Sequence, residues 1–395
     1  MKSQQLQLVP SDEDQATRST GDWQLLVGIA AAFDPDRLTQ ARQLAELTKR
    51  AVSDAIGVSP AAVGQWESGV TAPRPDHVLR LAEVLDVPPG FLASGRRNVR
   101  LDVADAHFRS LRSTPASLRG KAIAFTRQVE ELAYALEKRV QLPPVDLPGF
   151  CDGEVQPGSS TGDPVAAAGE VRRRWKLGDG PVAHLVRTLE QHGLIVTLVP
   201  FAGAETKTVD AFSTSHLPRP IIVLTPDRAD DVYRHRFTAA HELGHLVLHG
   251  DVMPGDPVQE KQADAFAAEF LTPGASITPE LPPRMDIRAL EQLSQSWGVA
   301  VDSLVYRCHE VGRISDSAYR RAFQRINQLR RIGLFTHDPV EGFPGEVPVL
   351  LREAFRIAEQ HGLTMVKLAD DLKVSLPRLR LLLGDTSSRP TLQLT

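Results

Sequence analysis

The hydrophobic and polar positions divide the chain into stretches of different periodicity. Apolar residues recur every three or four positions over residues 22–95 and again from about 114 to 140, which predicts short helices followed by one long helix. The pattern over residues 163–335 is mixed. It predicts helices at about 163–176 and 181–192, then strands at "GLIVTLVP", "TVDAFST" and "RPIIVLT", and then further helices.

Segments without this periodicity mark the boundaries between domains. The N-terminus is polar and lacks the apolar core of a signal peptide, so we expect it to be disordered. A stretch rich in Pro, Gly and Ser, "QLPPVDLPGFCDGEVQPGSSTGDP", predicts a linker. The predicted order is a disordered tail at 1–21, a helical domain at 22–95, a helical connector at 96–140, a linker at 141–162, an α+β domain at 163–335 and a small helical region at 336–395.

Composition narrows the class of protein. A chain of 395 residues that is 42% hydrophobic predicts two or three domains. The net charge of −4 does not by itself favour a nucleic-acid partner, although local charge still can. Two distant cysteines, Cys151 and Cys308, exclude a disulfide framework and fit a reducing compartment. No apolar run approaches the roughly 20 residues that span a bilayer, so we expect a cytoplasmic protein without membrane contact.

The first helical domain carries the signals of a helix-turn-helix. Thr48 is placed to cap a helix that runs to about Ile56, and Gly57 follows where a left-handed residue would end it. Ser59 is placed to cap the next helix, with Pro60 at its first position. Small or apolar residues fall where the two helices would cross: Val52, Ser53, Ile56, Val63 and Trp66. A similar pattern recurs near the C-terminus in "LTMVKLADDLKVSLPRLRLLL".

The stretch over residues 36–95, through "AVSDAIGVSPAAVGQWESGVTAPRP" and "LAEVLDVPPGFL", resembles the Xre/Cro-like helix-turn-helix family. The resemblance implies that double-stranded DNA is a partner, with Lys49 at a phosphate and Pro60, Ala61 and Gln65 facing the bases. Gln65 suits adenine, whereas Pro60 and Ala61 offer only apolar contacts, so we expect modest sequence specificity.

Local charge agrees with DNA binding only modestly, with net charges of +1 over residues 36–97 and +3 over residues 98–140. We expect DNA binding as a homodimer. The alternative is a helical protein-interaction module that does not contact DNA.

A second motif, "TAAHELGHLVLHG", predicts a metal centre. His241 and His245 are four positions apart on a predicted helix that ends at Gly250, so both imidazoles lie on one face, where they suit zinc. Zinc requires a third protein ligand. Glu260 on the following predicted helix is one candidate, and Asp264, four residues further, is placed to accept a hydrogen bond from a ligand histidine.

Two other residues keep alternatives open at this centre. Glu269 is the rival third ligand, nearer the end of the same predicted helix. His249 extends the histidine face by one turn, and we interpret it as a helix-end histidine rather than a ligand.

The stretches "RHRFTAAHELGHLVLHG" and "EKQADAFAAEFLTP" resemble the ImmA/IrrE metallopeptidase family, a gluzincin-type group, over about residues 165–330. The resemblance implies a zincin-like α+β fold with a small antiparallel sheet, with Zn²⁺ held by His241, His245 and Glu260. It also implies cleavage of a repressor protein, in some members after stress or another signal. A helix-turn-helix often precedes the peptidase in this family.

The chemistry expected of this centre assigns a role to Glu242, which would accept a proton from the attacking water and deliver it to the leaving amine. The developing oxyanion needs a further donor. The sequence leaves four candidates open, namely Tyr233, His216, His235 and Arg236. The strand "VDAFSTS" could pair with an extended substrate peptide, with "RPIIVLT", or with both.

The sequence therefore predicts a multidomain protein in which an all-α helix-turn-helix domain precedes an α+β metallopeptidase domain and a helical C-terminal region. Its expected function is a DNA-binding regulator that cleaves a protein substrate. One alternative is a sensor whose peptidase-like domain binds zinc or a ligand without proteolysis, although Glu242 argues against it. Another is a toxin–antitoxin or phage-related interaction protein.

Overall fold

The computed structural model describes residues 23–102, 105–108, 115–151, 154–155, 162–198, 211–225, 231–250, 256–334 and 338–384. The predicted disordered tail at 1–21 lies outside these residues. The chain divides into two compact units. The first combines Met1–Asn98, Ala116–Phe125 and Thr364–Leu379, and the second combines Val99–Pro115, Thr126–Leu363 and Arg380–Thr395. No helix within the described ranges is both long and apolar enough to cross a bilayer.

The first unit is helical. Its elements are α1 (residues 23–31), α2 (Pro35–Leu44), α3 (Lys49–Ile56), α4 (Pro60–Glu67), α5 (Pro75–Val84), a 3-10 turn at Pro89–Leu92, the beginning of α6 (Ala116–Glu137), and α16 (Met365–Leu372) with most of α17 (Leu376–Leu382).

Capping residues set the limits of α3 and α4. The Thr48 hydroxyl accepts from the Ala51 N–H and begins α3, and Gly57 at φ 76° ends it. The Ser59 hydroxyl begins α4, and Pro60 occupies its first position. The predicted helix-turn-helix is therefore confirmed to the residue at these ends.

The C-terminal helices repeat this arrangement. Thr364 caps α16, Lys373 ends it in the left-handed conformation at φ 52°, and the Ser375 hydroxyl accepts from the Arg378 N–H at the start of α17. The buried apolar positions of the two pairs match in order and spacing: Val52 with Leu368, Ile56 with Leu372, Val63 with Leu379, and Trp66 with Leu382. The pattern noted in the C-terminal sequence is thus a second helix-turn-helix.

The second unit contains a four-stranded sheet in the order β1-β5-β6-β4, formed by β1 (His107–Phe108), β4 (Ile195–Leu198), β5 (Ala211–Thr214) and β6 (Ile221–Leu224). Strands β5 and β6 pair antiparallel, as do β1 and β5, but β4 runs parallel to β6. The expectation of a small antiparallel sheet was wrong for this one pair of strands. In the order of the sheet, β6 lies between β4 and β5.

The remaining elements of this unit are a short pair of strands and a set of helices. They are β2 (Phe150–Cys151), β3 (Glu154–Val155), the rest of α6, α7 (Pro164–Arg174), α8 (Leu185–Gln191), α9 (Val232–Leu248), α10 (Pro257–Leu271), α11 (Gly274–Glu280), α12 (Ile287–Trp297), α13 (Val301–Glu310), α14 (Asp316–Arg331) and α15 (Leu350–Gln360).

One hydrophobic core holds the second unit together. Helices α7, α8, α9 and α10 bury their apolar faces against one another and against the strands, so α9 lies almost wholly inside the protein. Leu147 and Phe150, from the Pro-rich stretch 141–162, are also buried in this core. The core therefore fixes the position of α9, which carries the histidine motif.

Candidate metal centre

Helix α9 presents both motif histidines on its buried side. Asp231 begins the helix by accepting from the N–H groups of Tyr233 and Arg234, and the helix ends at Leu248. The His241 side chain is 0% exposed and that of His245 is 1% exposed. Their environment is therefore set by the elements packed against α9 rather than by solvent.

A glycine within the motif allows α10 to approach α9 closely. A Cβ atom on Gly244 would lie 3.2 Å from the Ala263 Cα and 3.1 Å from the Phe266 ring. Contacts as short as these are rarely tolerated, least of all against backbone. Gly244 therefore permits the helix packing that brings the first turn of α10, with Glu260, beside the two histidines.

Three ligand atoms converge between these helices. The Nε2 atoms of His241 and His245 lie 3.1 Å apart. The Glu260 carboxylate places Oε2 3.5 Å from the His241 Nε2 and Oε1 3.4 Å from the His245 Nε2. Two imidazole nitrogens and a carboxylate that can close around one point form a donor set of the kind that holds zinc while leaving a position open.

Each motif histidine is also contacted at its other ring nitrogen, Nδ1. The His241 Nδ1 lies 2.8 Å from the Asp264 Oδ1, so the structure brings Asp264 to His241. The His245 Nδ1 lies 3.1 Å from the His249 Nδ1, and the His249 Nε2 lies 3.0 Å from the Gln262 Oε1. Such contacts fix the tautomer and orientation of a ligand histidine, so His249 supports the cluster from the end of α9.

The protonation states of the cluster favour metal binding. Burial raises the pKa of Glu260, but hydrogen bonds and charges from His241 and His245 outweigh burial and lower the pKa to about 2. Burial lowers the pKa of His245 to about 4. At neutral pH the carboxylate is therefore ionised and the His245 ring is neutral, which are the forms that bind a metal ion.

Glu242, between the two histidines, is held by the sheet. Its side chain is completely buried, and its Oε2 accepts a 2.7 Å hydrogen bond from the Ser213 hydroxyl on β5. The same hydroxyl lies 3.3 Å from the Glu242 backbone carbonyl. Ser213 therefore fixes the orientation of the carboxylate beside the cluster.

The rival carboxylate has a different environment. Glu269 binds the Arg307 guanidinium at 2.8 Å and accepts from the Gly274 N–H at 3.0 Å. These bonds join α10 to α13 and begin α11, so Glu269 is engaged away from the two histidines.

The four residues considered as oxyanion donors have different environments, although two of them, His235 and Arg236, contact the same residue. The His235 Nε2 lies 3.1 Å from the Glu346 carbonyl oxygen, and Arg236 binds the Glu346 carboxylate and the Gly298 carbonyl. Tyr233 lines a polar cavity of about 380 Å³, and burial raises its pKa. His216 is exposed just after β5. Arg236 and His235 thus act as structural donors to Glu346, and the assignment of an oxyanion donor stays a prediction.

The positions predicted to contact DNA lie on the surface of the first unit. Pro60, Ala61 and Gln65 are exposed along the beginning and middle of α4. The Lys49 side chain is 48% exposed, and its Nζ lies 3.1 Å from the Glu67 Oε2. The structure therefore leaves these four side chains accessible on the second helix of the motif and at the start of the first.

Sequence reasoning missed Ser213, Gln262 and the supporting contact of His249. Ser213 lies inside a quoted strand, but only the packing of β5 on α9 shows that it reaches Glu242. The four-residue spacing from His245 to His249 was the available signal for that contact.

Comparison with known families agrees with both halves of this description. Residues 189–309 match the peptidase family described as the IrrE N-terminal-like domain, and residues 38–92 match the family described as Helix-turn-helix. A search of curated proteins found no match to the chain. These matches support a DNA-binding regulator with a peptidase-like domain. More closely defined, the chain carries a helix-turn-helix domain fused to a domain of the ImmA/IrrE type.

Proposed function

We propose that this protein is a cytoplasmic DNA-binding transcriptional regulator whose ImmA/IrrE-type domain is a zinc-dependent endopeptidase. Its substrate is a repressor or another regulatory protein, cleaved in response to stress or another signal. The observation that carries the proposal is Glu242, a fully buried carboxylate held by Ser213 beside a cluster of zinc-ligand type. A domain that only sensed zinc would need the ligands but not this carboxylate.

The residues of the centre divide the expected reaction among them. His241, His245 and Glu260 would hold the zinc ion, which supplies Lewis acidity toward water and the peptide carbonyl. Glu242 takes the proton from the attacking water and delivers it to the leaving amine nitrogen. Ser213 keeps the receiving carboxylate in place, and Asp264 keeps the His241 ring in the tautomer that directs Nε2 toward the cluster.

Replacement of Glu242 by glutamine tests the proteolytic part of the proposal. The amide is nearly isosteric but takes no proton, so Glu242→Gln should retain zinc content and DNA binding while losing cleavage of the regulated protein. The measurements are metal analysis, operator binding, and cleavage with reporter output in cells. Glu170→Gln, a partly exposed carboxylate on α7, is the matched control and should behave as wild type.

Unchanged reporter output and an intact partner protein in Glu242→Gln cells, equal to wild type, would contradict proteolysis. That result favours the alternative in which zinc or a ligand bound in the second domain controls DNA binding without cleavage.

The DNA-binding part is tested on α3 and α4. Gln65→Ala should reduce the preference among DNA sequences by about 1–3 kcal/mol, because it removes the one hydrogen-bonding base reader. Lys49→Ala should lower the affinity for all DNA sequences alike and reduce the dependence of affinity on salt. Gel-shift titrations at several salt concentrations measure both effects. If both variants bind DNA as tightly and as selectively as wild type, this surface does not contact DNA.

A further inference from the structure

The connector between the two predicted domains adds a strand to the sheet beside the candidate metal centre. Within the second unit, β1 pairs antiparallel with β5, with His107 opposite Ser213 and Phe108 opposite Phe212. The other side of β5 is paired with β6 along its whole length. Both hydrogen-bonding edges of β5 are therefore in use at residues 212 and 213.

The strand is anchored by contacts before it. The Asp102 N–H donates to the Asp105 carboxylate at 2.8 Å and the Asp105 N–H donates to the Asp102 carbonyl at 3.0 Å, which closes a turn. The Thr214 hydroxyl donates to the Asp105 carbonyl at 2.7 Å. Leu101 and Ala106, on either side of this turn, are buried. The connector is therefore joined to the sheet by backbone pairing and by the hydrogen bond from the Thr214 side chain.

The paired position is next to the catalytic carboxylate. Ser213, which faces His107 across the ladder, is the residue whose hydroxyl binds the Glu242 Oε2. An extended peptide that binds a protein by adding a strand requires free N–H and C=O groups on a sheet edge. Without β1, the edge of β5 at Ser213 would offer such groups next to Glu242. In this structure the connector covers that edge.

We infer that the connector strand is the resident occupant of the β5 edge and blocks an extended substrate peptide from pairing there. The inference rests on the proposed peptidase function. A substrate segment recognised mainly through its main chain then competes with β1 for the backbone N–H and C=O groups on this edge of β5. The protein is latent while β1 is paired and becomes receptive when β1 is displaced.

A binding experiment tests this inference without requiring hydrolysis. The probe is a fluorescein-labelled peptide with the sequence of residues 101–108, and the protein is the full chain carrying Glu242→Gln. The double variant His107→Pro/Phe108→Pro removes the N–H donors of β1, so peptide affinity measured by anisotropy should rise at least about tenfold. Alanine at the same two positions keeps the N–H groups and should leave the affinity unchanged.

A milder pair of variants guards against misfolding by the proline substitutions. Thr214→Val removes the hydroxyl that binds the Asp105 carbonyl, so peptide affinity should rise by several fold. Ser215→Ala is its control, because the Ser215 hydroxyl binds the Gly250 carbonyl instead of the connector. Hydrogen exchange at residues 211–214 should increase in the Thr214 variant but not in the Ser215 variant.

Equal peptide affinity in wild type, proline and alanine variants overturns the inference, and so does the absence of binding in all of them. Neither result bears on zinc binding or on the role of Glu242, which are measured separately in the experiments on the proposed function. Failure of the occupancy model and failure of the peptidase model are therefore distinguishable.

Discussion

Glu260 and Glu269 lie on the same helix, α10, but their carboxylates have different partners. Glu260 faces the Nε2 atoms of both motif histidines, whereas Glu269, further along α10, is bound to Arg307 and to the first N–H of α11. A carboxylate already neutralised by a guanidinium is a poor ligand for a cation, because the two positive charges compete for the same oxygens.

Metal analysis of two matched variants checks this assignment. Glu260→Gln should reduce zinc affinity by about 100-fold or more, because it removes a ligand charge at the cluster. Glu269→Gln should retain zinc but lower the free energy of unfolding by about 1–3 kcal/mol, because Arg307 loses a charged partner. The reverse pattern, with zinc retained in Glu260→Gln and lost in Glu269→Gln, would show that the third ligand is misassigned.

At the scale of elements, the two helix-turn-helix motifs have different residues at the left-handed position that ends the first helix. Gly57 and Lys373 occupy the same place after the first helix of each motif, and both have positive φ values. The left-handed conformation costs a residue with a Cβ atom about 1–2 kcal/mol, and glycine avoids this cost. The second motif therefore carries local strain that the first does not.

Urea denaturation of variants at these two positions checks this difference. Lys373→Gly should raise the free energy of unfolding by about 0.5–1 kcal/mol, which is the relief of strain less the added freedom of the unfolded chain. Lys373→Ala removes the exposed pair with Asp370 but keeps the strain, so it should give no gain. Gly57→Ala should lower stability by about 1 kcal/mol. If Lys373→Ala raised the free energy of unfolding as much as Lys373→Gly, the gain would come from loss of the lysine side chain rather than from relief of backbone strain.

At the scale of the whole molecule, a buried carboxylate links α8 to α15 and makes stability depend on pH. The Glu190 Oε1 accepts from the N–H groups of Val349 and Leu350, each at 2.8 Å. Burial raises the pKa of Glu190 to about 7, although the two N–H donors act in the opposite direction. Between pH 4.5, the usual value for this carboxyl, and pH 7, the folded protein therefore holds a proton that the unfolded chain releases.

It follows that stability should fall as pH rises through this window. The stabilising contribution of Glu190 to the free energy of unfolding is fully present below about pH 4.5 and is lost by about pH 7. The free energy of unfolding should differ between these two pH values by up to about 3 kcal/mol. Glu190→Gln keeps an acceptor for the two N–H groups without the charge, so it should flatten the decline. Unfolding free energies measured from pH 4.5 to pH 8 test this expectation. Glu353→Gln, which changes a partly exposed carboxylate on α15, is the control. An unchanged slope in Glu190→Gln would contradict the assignment.

The sequence by itself determined the features that depend on neighbours along the chain. The limits of α3 and α4 follow from hydroxyl caps, a glycine and a proline, each acting within a few residues. The shared face of His241 and His245 follows from helix periodicity alone. Short-range geometry of this kind has few alternatives, so a pattern of residues is sufficient to predict it.

Tertiary structure decided every feature in which distant segments meet. The choice between Glu260 and Glu269 depends on Gly244, which lets α10 approach α9, and on Arg307 from a later helix. The contact of Ser213 with Glu242, the parallel pairing of β4 with β6 and the pairing of the connector with β5 all join residues far apart in sequence. Such contacts are selected by the burial of a shared core, which no local pattern encodes, because their free energy depends on all the packed elements together.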